Sequence, residues 1–367
     1  MSDPVPATRS RLDWLDWLRG MAVLVMIEAH TVDAWTRVAD RSTPDFGRAL
    51  IVGGMGAPLF LFLAGVAVAL AAESRERRSG DARAAARSVR RRGWEIFGLA
   101  FLFRLQSYLL NPGASVHGLL KVDILNVMGP SIVLAAWLWQ LGPTRLGRIG
   151  ALAGATVAIA MVTPLVRTWS VVAGLPDAVE AYIRPLPGLS NFAFFPWSGF
   201  VTAGAVAGLT VAAAWRAGRL GVAALGFGGA GVALAAAGYT LSFQPMLYPD
   251  SRFWTTSPTF FLLRVGVLTT GLAASYAWEM RPWRHGWSPM VELGRNSLFV
   301  YWIHVEMVYG VLATPLRRAL SLEQVLLANV AMCILMILAI RLKDRLLSRL
   351  GSAPRLGGSS PQATSAG

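Results

Sequence analysis

The chain holds one cysteine, Cys333, and four histidines. A single thiol excludes an intrachain disulfide and a thiolate metal cluster. Cys333 falls in an apolar stretch and reads as a small packing residue. No His-x-x-x-His pair or carboxylate cluster has ligand spacing, so no metal site is expected. A phosphate-cradling glycine loop, a repeat of fixed period and a soluble domain are also missing. Charge is scarce: charged residues make up 15% of the chain and hydrophobic ones 54%. Soluble domains stand near roughly 25% and 45–50%.

What the chain has is apolar length. Residues 49–72, 149–166, 185–215 and 220–249 contain no Lys or Arg. Runs of about twenty apolar residues read as membrane helices. The expected fold is an all-α polytopic bundle of about ten spans, at 18–36, 49–72, 93–110, 118–140, 149–166, 194–214, 220–241, 258–278, 294–314 and 323–341. Residues 1–17 are expected to be a cytoplasmic segment, 18–341 the membrane domain, and 342–367 a cytoplasmic tail that is disordered from about 351.

A net charge of +14 is a usual mark of nucleic-acid binding, but its distribution here argues for topology. With the N-terminus inside, inner segments hold 22 of the 34 basic residues, including Arg9, Arg11, Arg284 and the cluster from Arg75 to Arg92. That bias puts both termini in the cytoplasm and leaves no nucleic-acid partner to explain. The Arg75–Arg92 loop reads either as a solvated positive-inside loop or as a contact for lipid headgroups or a coenzyme phosphate.

Ionisable groups inside a span need a partner or water. The first span carries Arg19 at its start and Glu28, His30 and Asp33 in its second half. Arg19 and His30 are ~16 Å apart along a helix axis, about half of a ~30 Å hydrocarbon core. His30 and Asp33 share a face, so the carboxylate could orient the imidazole as a general base. The alternative is a polar helix end in which Asp33 pairs with Arg37. Asp123 and Asn126 share a face in the fourth span, close to Pro130. They read as a cavity marker or as an outer-boundary cap with Lys121. Ser297, Tyr301 and His304 form a stripe in the ninth span, which must face protein or water rather than lipid. Trp302 and Glu306 form a second pair four apart. Arg104 and Arg264 are single cations, with Glu28, Asp33, Asp123 or Glu306 as candidate partners. His117 and His285 read as ordinary solvated histidines.

These residues also carry a resemblance. Leu15-Asp16-Trp17-Leu18-Arg19-Gly20 through Met26 and His30 resembles the opening of bacterial relatives of heparan-α-glucosaminide N-acetyltransferase, within the integral-membrane acyltransferase superfamily. Pro58–Gly65, Ile124–Gly129, Phe195–Gly208 and Gly294–His304 are similar to later blocks of that family, in order. The resemblance implies transfer of an acetyl group from cytoplasmic acetyl-CoA to an amine or hydroxyl on the far side, with a glycan or lipid-linked sugar as acceptor. It implies that Arg19 holds the coenzyme end, that His30 activates the acceptor or carries acetyl, and that His304 lines the cavity. Asn126 or Asn296 would stabilise an oxyanion, and the acceptor would enter near Trp35, Trp197 and residues 166–193. The expected setting is a bacterial cytoplasmic membrane, with membrane lipid and a homodimer as candidate partners. A transporter and a non-catalytic protein of the same fold are the competing functions.

Overall fold

The computed structural model describes residues 12–111, 115–281 and 286–351. Arg9, Arg11, Arg284, His285, the start of the expected N-terminal segment and the tail from 352 lie outside the described residues. The first helix, α1 (Asp13–Trp35), starts earlier than the apolar pattern suggests. Asp13 and Asp16 occupy its first turn, where carboxylates complement the exposed N–H groups and the helix dipole. The second expected span is broken. Helix α2 (Pro44–Gly53) is capped by Thr43, with Pro44 at its first position, and ends at Gly54. Helix α3 (Gly56–Ser79) then carries the apolar run to a left-handed Gly80. Helix α4 (Ala82–Leu110) starts on an Asp81 cap and places the third expected span in its second half.

Helix α5 (Ile124–Leu141) begins later than expected because a capping box fixes its start. The Asp123 carboxylate accepts from the Ile124 N–H, and Asn126 Oδ1 accepts from the Asp123 N–H. Pro130 lies inside α5 without ending it. The chain continues through α6 (Arg145–Thr168), the short α7 (Ser170–Ala173) and α8 (Asp177–Ile183), then α9 (Phe194–Arg216), α10 (Leu220–Leu241) and α11 (Pro258–Glu279). The ninth expected span is also broken, at Asn296, into α12 (Pro289–Arg295) and α13 (Ser297–Tyr309). Helix α14 (Leu322–Gly351) closes the described chain. No strand occurs among the described residues; isolated bridges pair Thr36 with Leu320 and Val122 with Ser190.

Seven helical segments are long and apolar enough to cross a membrane: α2–α3 together, α5, α6, α9, α10, α11 and α14. Helices α1, α4 and α13 fill the other expected positions but are too polar or too short to qualify on the same terms. The protein is an all-helical, multi-pass membrane bundle.

Apolar tails on all sides remove most hydrophobic drive between membrane helices, so close backbone packing holds them. Helices α3 and α9 meet at glycines. A Cβ on Gly65 would collide with the Val201 carbonyl, and one on Gly204 with the Phe62 carbonyl. The pairing of α1 with α12 and α13 builds the site. Gly20 packs on the Met290 backbone and Gly294 on those of Asp16 and Gly20, so α12 crosses α1 in close backbone contact, with Gly294 beside Gly20. The chain kinks at Asn296, whose Nδ2 donates to the Glu292 carbonyl and whose Oδ1 accepts from Lys343 Nζ. Helix α13 then rises parallel to α1, and Trp35 Nε1 donates to the Val308 carbonyl near its far end.

At the opposite end of the bundle, four charges lock α3, α6 and α9. Arg148 Nη1 lies 2.9 Å from Glu73 and 2.6 Å from Glu76, while Arg216 Nη1 lies 2.9 Å from Glu73. The Arg148 guanidinium also stacks 3.9 Å from the Trp139 ring centre. Two arginines that charge counting assigns to topology alone are therefore bridges between helices.

Candidate active site

A cavity of about 650 Å³ opens among α1, the α2–α3 break, α4, the start of α5 and α13. His30, Asp33, Arg104, Lys121, Asp123, Trp197, Tyr301, Glu306 and Tyr309 reach its wall. A larger cleft of about 750 Å³ lies between α6, α9, α10 and α11. No histidine, carboxylate or basic side chain lines that cleft, so it offers no acid–base chemistry.

His30 is held by a second histidine. Its Nδ1 lies 2.8 Å from His304 Nε2, and the two rings are within 6° of parallel. His304 is fully buried, and its Nδ1 lies 2.8 Å from the Val300 carbonyl. That carbonyl can only accept, so His304 Nδ1 carries the proton. With both rings neutral, His304 Nε2 is then an acceptor and His30 Nδ1 must donate to it. The remaining nitrogen, His30 Nε2, is left with a lone pair. The tautomer of the first imidazole is thus fixed by a backbone carbonyl two hydrogen bonds away. The Tyr309 ring packs edge-on 5.5 Å from His30.

Asp33 does not orient His30, contrary to the helix-face expectation. The segment after α1 folds back, and Arg41 donates to the Asp33 carbonyl at 2.7 Å and to its carboxylate at 3.2 Å. Nor does Asp33 pair with Arg37, which bonds Asp40 instead. Asp33 still reaches the cavity, with the Tyr309 hydroxyl 3.5 Å from its second oxygen. Asp123 pairs with Arg104 at 2.5 Å, which resolves one of the two single cations.

The other expected site residues divide by position. Tyr301 and Trp197 line the cavity, and His304 stands directly behind His30. Asn126 is not on the wall: its oxygen caps α5 and its amide donates to the Tyr182 hydroxyl at 3.2 Å. Arg19 sits at the far end of α1, paired with Asp16 at 3.0 Å, where Arg295 also reaches Asp16 and Asp13. Asn296 holds the kink between α12 and α13, and Ser297 opens α13 beside it; neither reaches the cavity. Trp302 bonds Gln106 rather than Glu306. Trp35 is buried, but Asn191 and Phe192, from the expected entry loop, do form part of the wall. Tyr309 and Arg41 were missed. Extending the Tyr301 stripe by two further steps of four would have found Tyr309; Arg41 acts through a loop and has no periodic signal.

A search of curated proteins finds no match. A family profile matches residues 11–243, which include Arg19, His30, Asp33, Asp123, Asn126 and Trp197 and end before Asn296, Ser297, Tyr301 and His304. The matched family is the catalytic domain of heparan-α-glucosaminide N-acetyltransferase, and with more than half of its residues matched this chain belongs to that family.

Proposed function

We propose that the protein moves an acetyl group from acetyl-CoA to an amine or hydroxyl of a glycan or lipid-linked sugar, with His30 as the general base. The observation that carries this reading is the His30 Nε2 lone pair at the wall of a polar cavity, its ring fixed by His304. As the acceptor attacks the thioester carbonyl, its N–H or O–H proton passes to His30 Nε2. The C–S bond then breaks, and His30 returns that proton to the departing thiolate. Such base catalysis contributes about 10²–10⁴-fold. Lys121 on the same wall supplies a positive charge for the developing oxyanion, Arg104 being neutralised by Asp123. His304 cannot pass the proton onward, because its other nitrogen is tied to a carbonyl. The pair therefore orients His30 without conducting protons through the bundle.

The membrane setting and the spacing of Arg19 from His30 support donor entry from the Arg19 side and acceptor entry from the His30 side, across a bacterial cytoplasmic membrane. The test is acetyl-CoA turnover by purified protein in detergent, with and without an amino-sugar acceptor. Turnover lost in His30→Ala, with the fold retained, supports the reading. Turnover unchanged in that variant, or solute flux in liposomes independent of the coenzyme, refutes it.

A further inference from the structure

Arg264 remains unmatched after the site is assembled. Of its candidate partners, Asp33 is taken by Arg41 and Asp123 by Arg104, and Glu306 lies on the cavity wall without an ion pair to Arg264. Glu28 approaches the neighbouring Gly53 from the α1 side without forming an ion pair with Arg264. The Arg264 guanidinium stacks 4.1 Å from the Phe260 ring centre, and its Nε is buried with no hydrogen-bond partner. An unpaired cation at membrane depth is costly and marks a ligand pathway more often than packing does.

Its position gives the cation an address. A Cβ on Gly54 would stand 3.5 Å from Arg264 Nη2, and Gly54 lines the cavity that holds His30. Gly54 has an ordinary helical backbone, φ −61° and ψ −11°, which any residue adopts. Its backbone therefore does not require glycine. Arg264 does not itself line the cavity; Gly54, which does, stands between them without a side chain. On the adjoining side of the break, Gly53 packs on Ala29, the residue before His30. The helix that carries the base and the cation thus both reach the Gly53–Gly54 pair.

We propose that Arg264 recognises an oxyanion on the acceptor, a carboxylate or phosphate carried by the same small molecule that presents its amine or hydroxyl to His30. This rests on the acetyl-transfer reading for its choice of ligand. Its test does not depend on turnover. A charge-assisted hydrogen bond in a partly desolvated site is worth about 10- to 100-fold in affinity.

The experiment measures binding of glucosamine and glucosamine 6-phosphate to the full chain in nanodiscs of zwitterionic lipid. The wild type should bind the phosphorylated sugar at least tenfold more tightly. Arg264→Gln should abolish that preference. Gly54→Ala, which keeps the guanidinium and only interposes a methyl group, should reduce it. Monodisperse variants with near-native melting temperatures exclude unfolding as the cause. Equal or undetectable binding of the two sugars by the wild type overturns the proposal, as does a preference that survives Arg264→Gln. A preference that disappears in nanodiscs enriched in anionic phospholipid assigns the guanidinium to a lipid headgroup and also overturns it. Loss of acetyl transfer with the preference intact would reject the acetyl-transfer reading and leave the anion site standing.

Discussion

Replacing His304 with alanine isolates what the buried ring does for His30. The substitution leaves His30 Nδ1 without its acceptor at 2.8 Å. A hydrogen bond lost in a buried setting costs about 1–3 kcal/mol. That energy now fixes one tautomer and one ring orientation. Without it, the proton can sit on Nε2, where the ring cannot accept from the acceptor, or the ring can turn away. At about 1.4 kcal/mol per tenfold, kcat for acetyl transfer should fall roughly 10- to 100-fold. The fall should be smaller than for His30→Ala, which removes the base itself. The apparent Michaelis constant for acetyl-CoA should change little, because His304 is fully buried behind His30. His304→Gln is the informative control: its amide oxygen can accept from Nδ1, so it should recover part of the lost rate. The assay is steady-state thioester turnover in detergent, beside a melting curve for each variant. A His304→Ala rate within twofold of wild type would refute the orienting role. So would a His304→Gln variant no faster than the alanine one at equal stability.

Three further outcomes follow from other contacts. Arg104→Gln and Asp123→Asn each strand a charge in a pair whose side chains are only 14% and 16% exposed. Each should lower unfolding free energy by about 3–5 kcal/mol, and combining them should recover part of that loss in a melting assay; additive losses would contradict the pairing. Gly204→Ala should abolish a monodisperse fold, because its methyl meets the Phe62 carbonyl, whereas Gly154→Ala faces open space in α6 and should stabilise by about 0.5–1 kcal/mol. Size-exclusion profiles showing equal behaviour would sink the close-packing account. Asp40, outside the spans, accepts from Arg37 Nε at 2.9 Å and from the Leu322 N–H at 3.1 Å. The Arg37 hydrogen bond holds its carboxyl below the usual carboxylate value. A depressed folded value means this tie is present above the unfolded pKa and is lost as pH falls through the folded one. Hydrogen exchange at the start of α14 should therefore quicken relative to an Asp40→Asn control as pH falls through that point, with no such step in the control.

The apolar runs are legible as helices because a bilayer leaves the backbone no other way to satisfy its hydrogen bonds. The breaks inside them are not. Gly54 and Asn296 look like ordinary span residues until tertiary contacts stop the helix there. Individual site residues could be found, since a histidine or aspartate in hydrocarbon needs a reason. Their partners could not, and Asp33 shows why. Helix periodicity places it on the His30 face, but the competing guanidinium comes from Arg41, on a returning loop that no period describes. His30 and His304 are 274 residues apart, and neither helix alone contains the information that joins them. That information lies in four backbone positions. Gly20 on Met290 and Gly294 on Asp16 lock α12 against α1, and the kink at Asn296 then aims α13 so that His304 reaches His30. The conspicuous motif around Asn296 and Ser297 thus works at a distance from the cavity. It sets the register of the histidine pair, so substitutions there should disturb the His30 tautomer from outside the cavity.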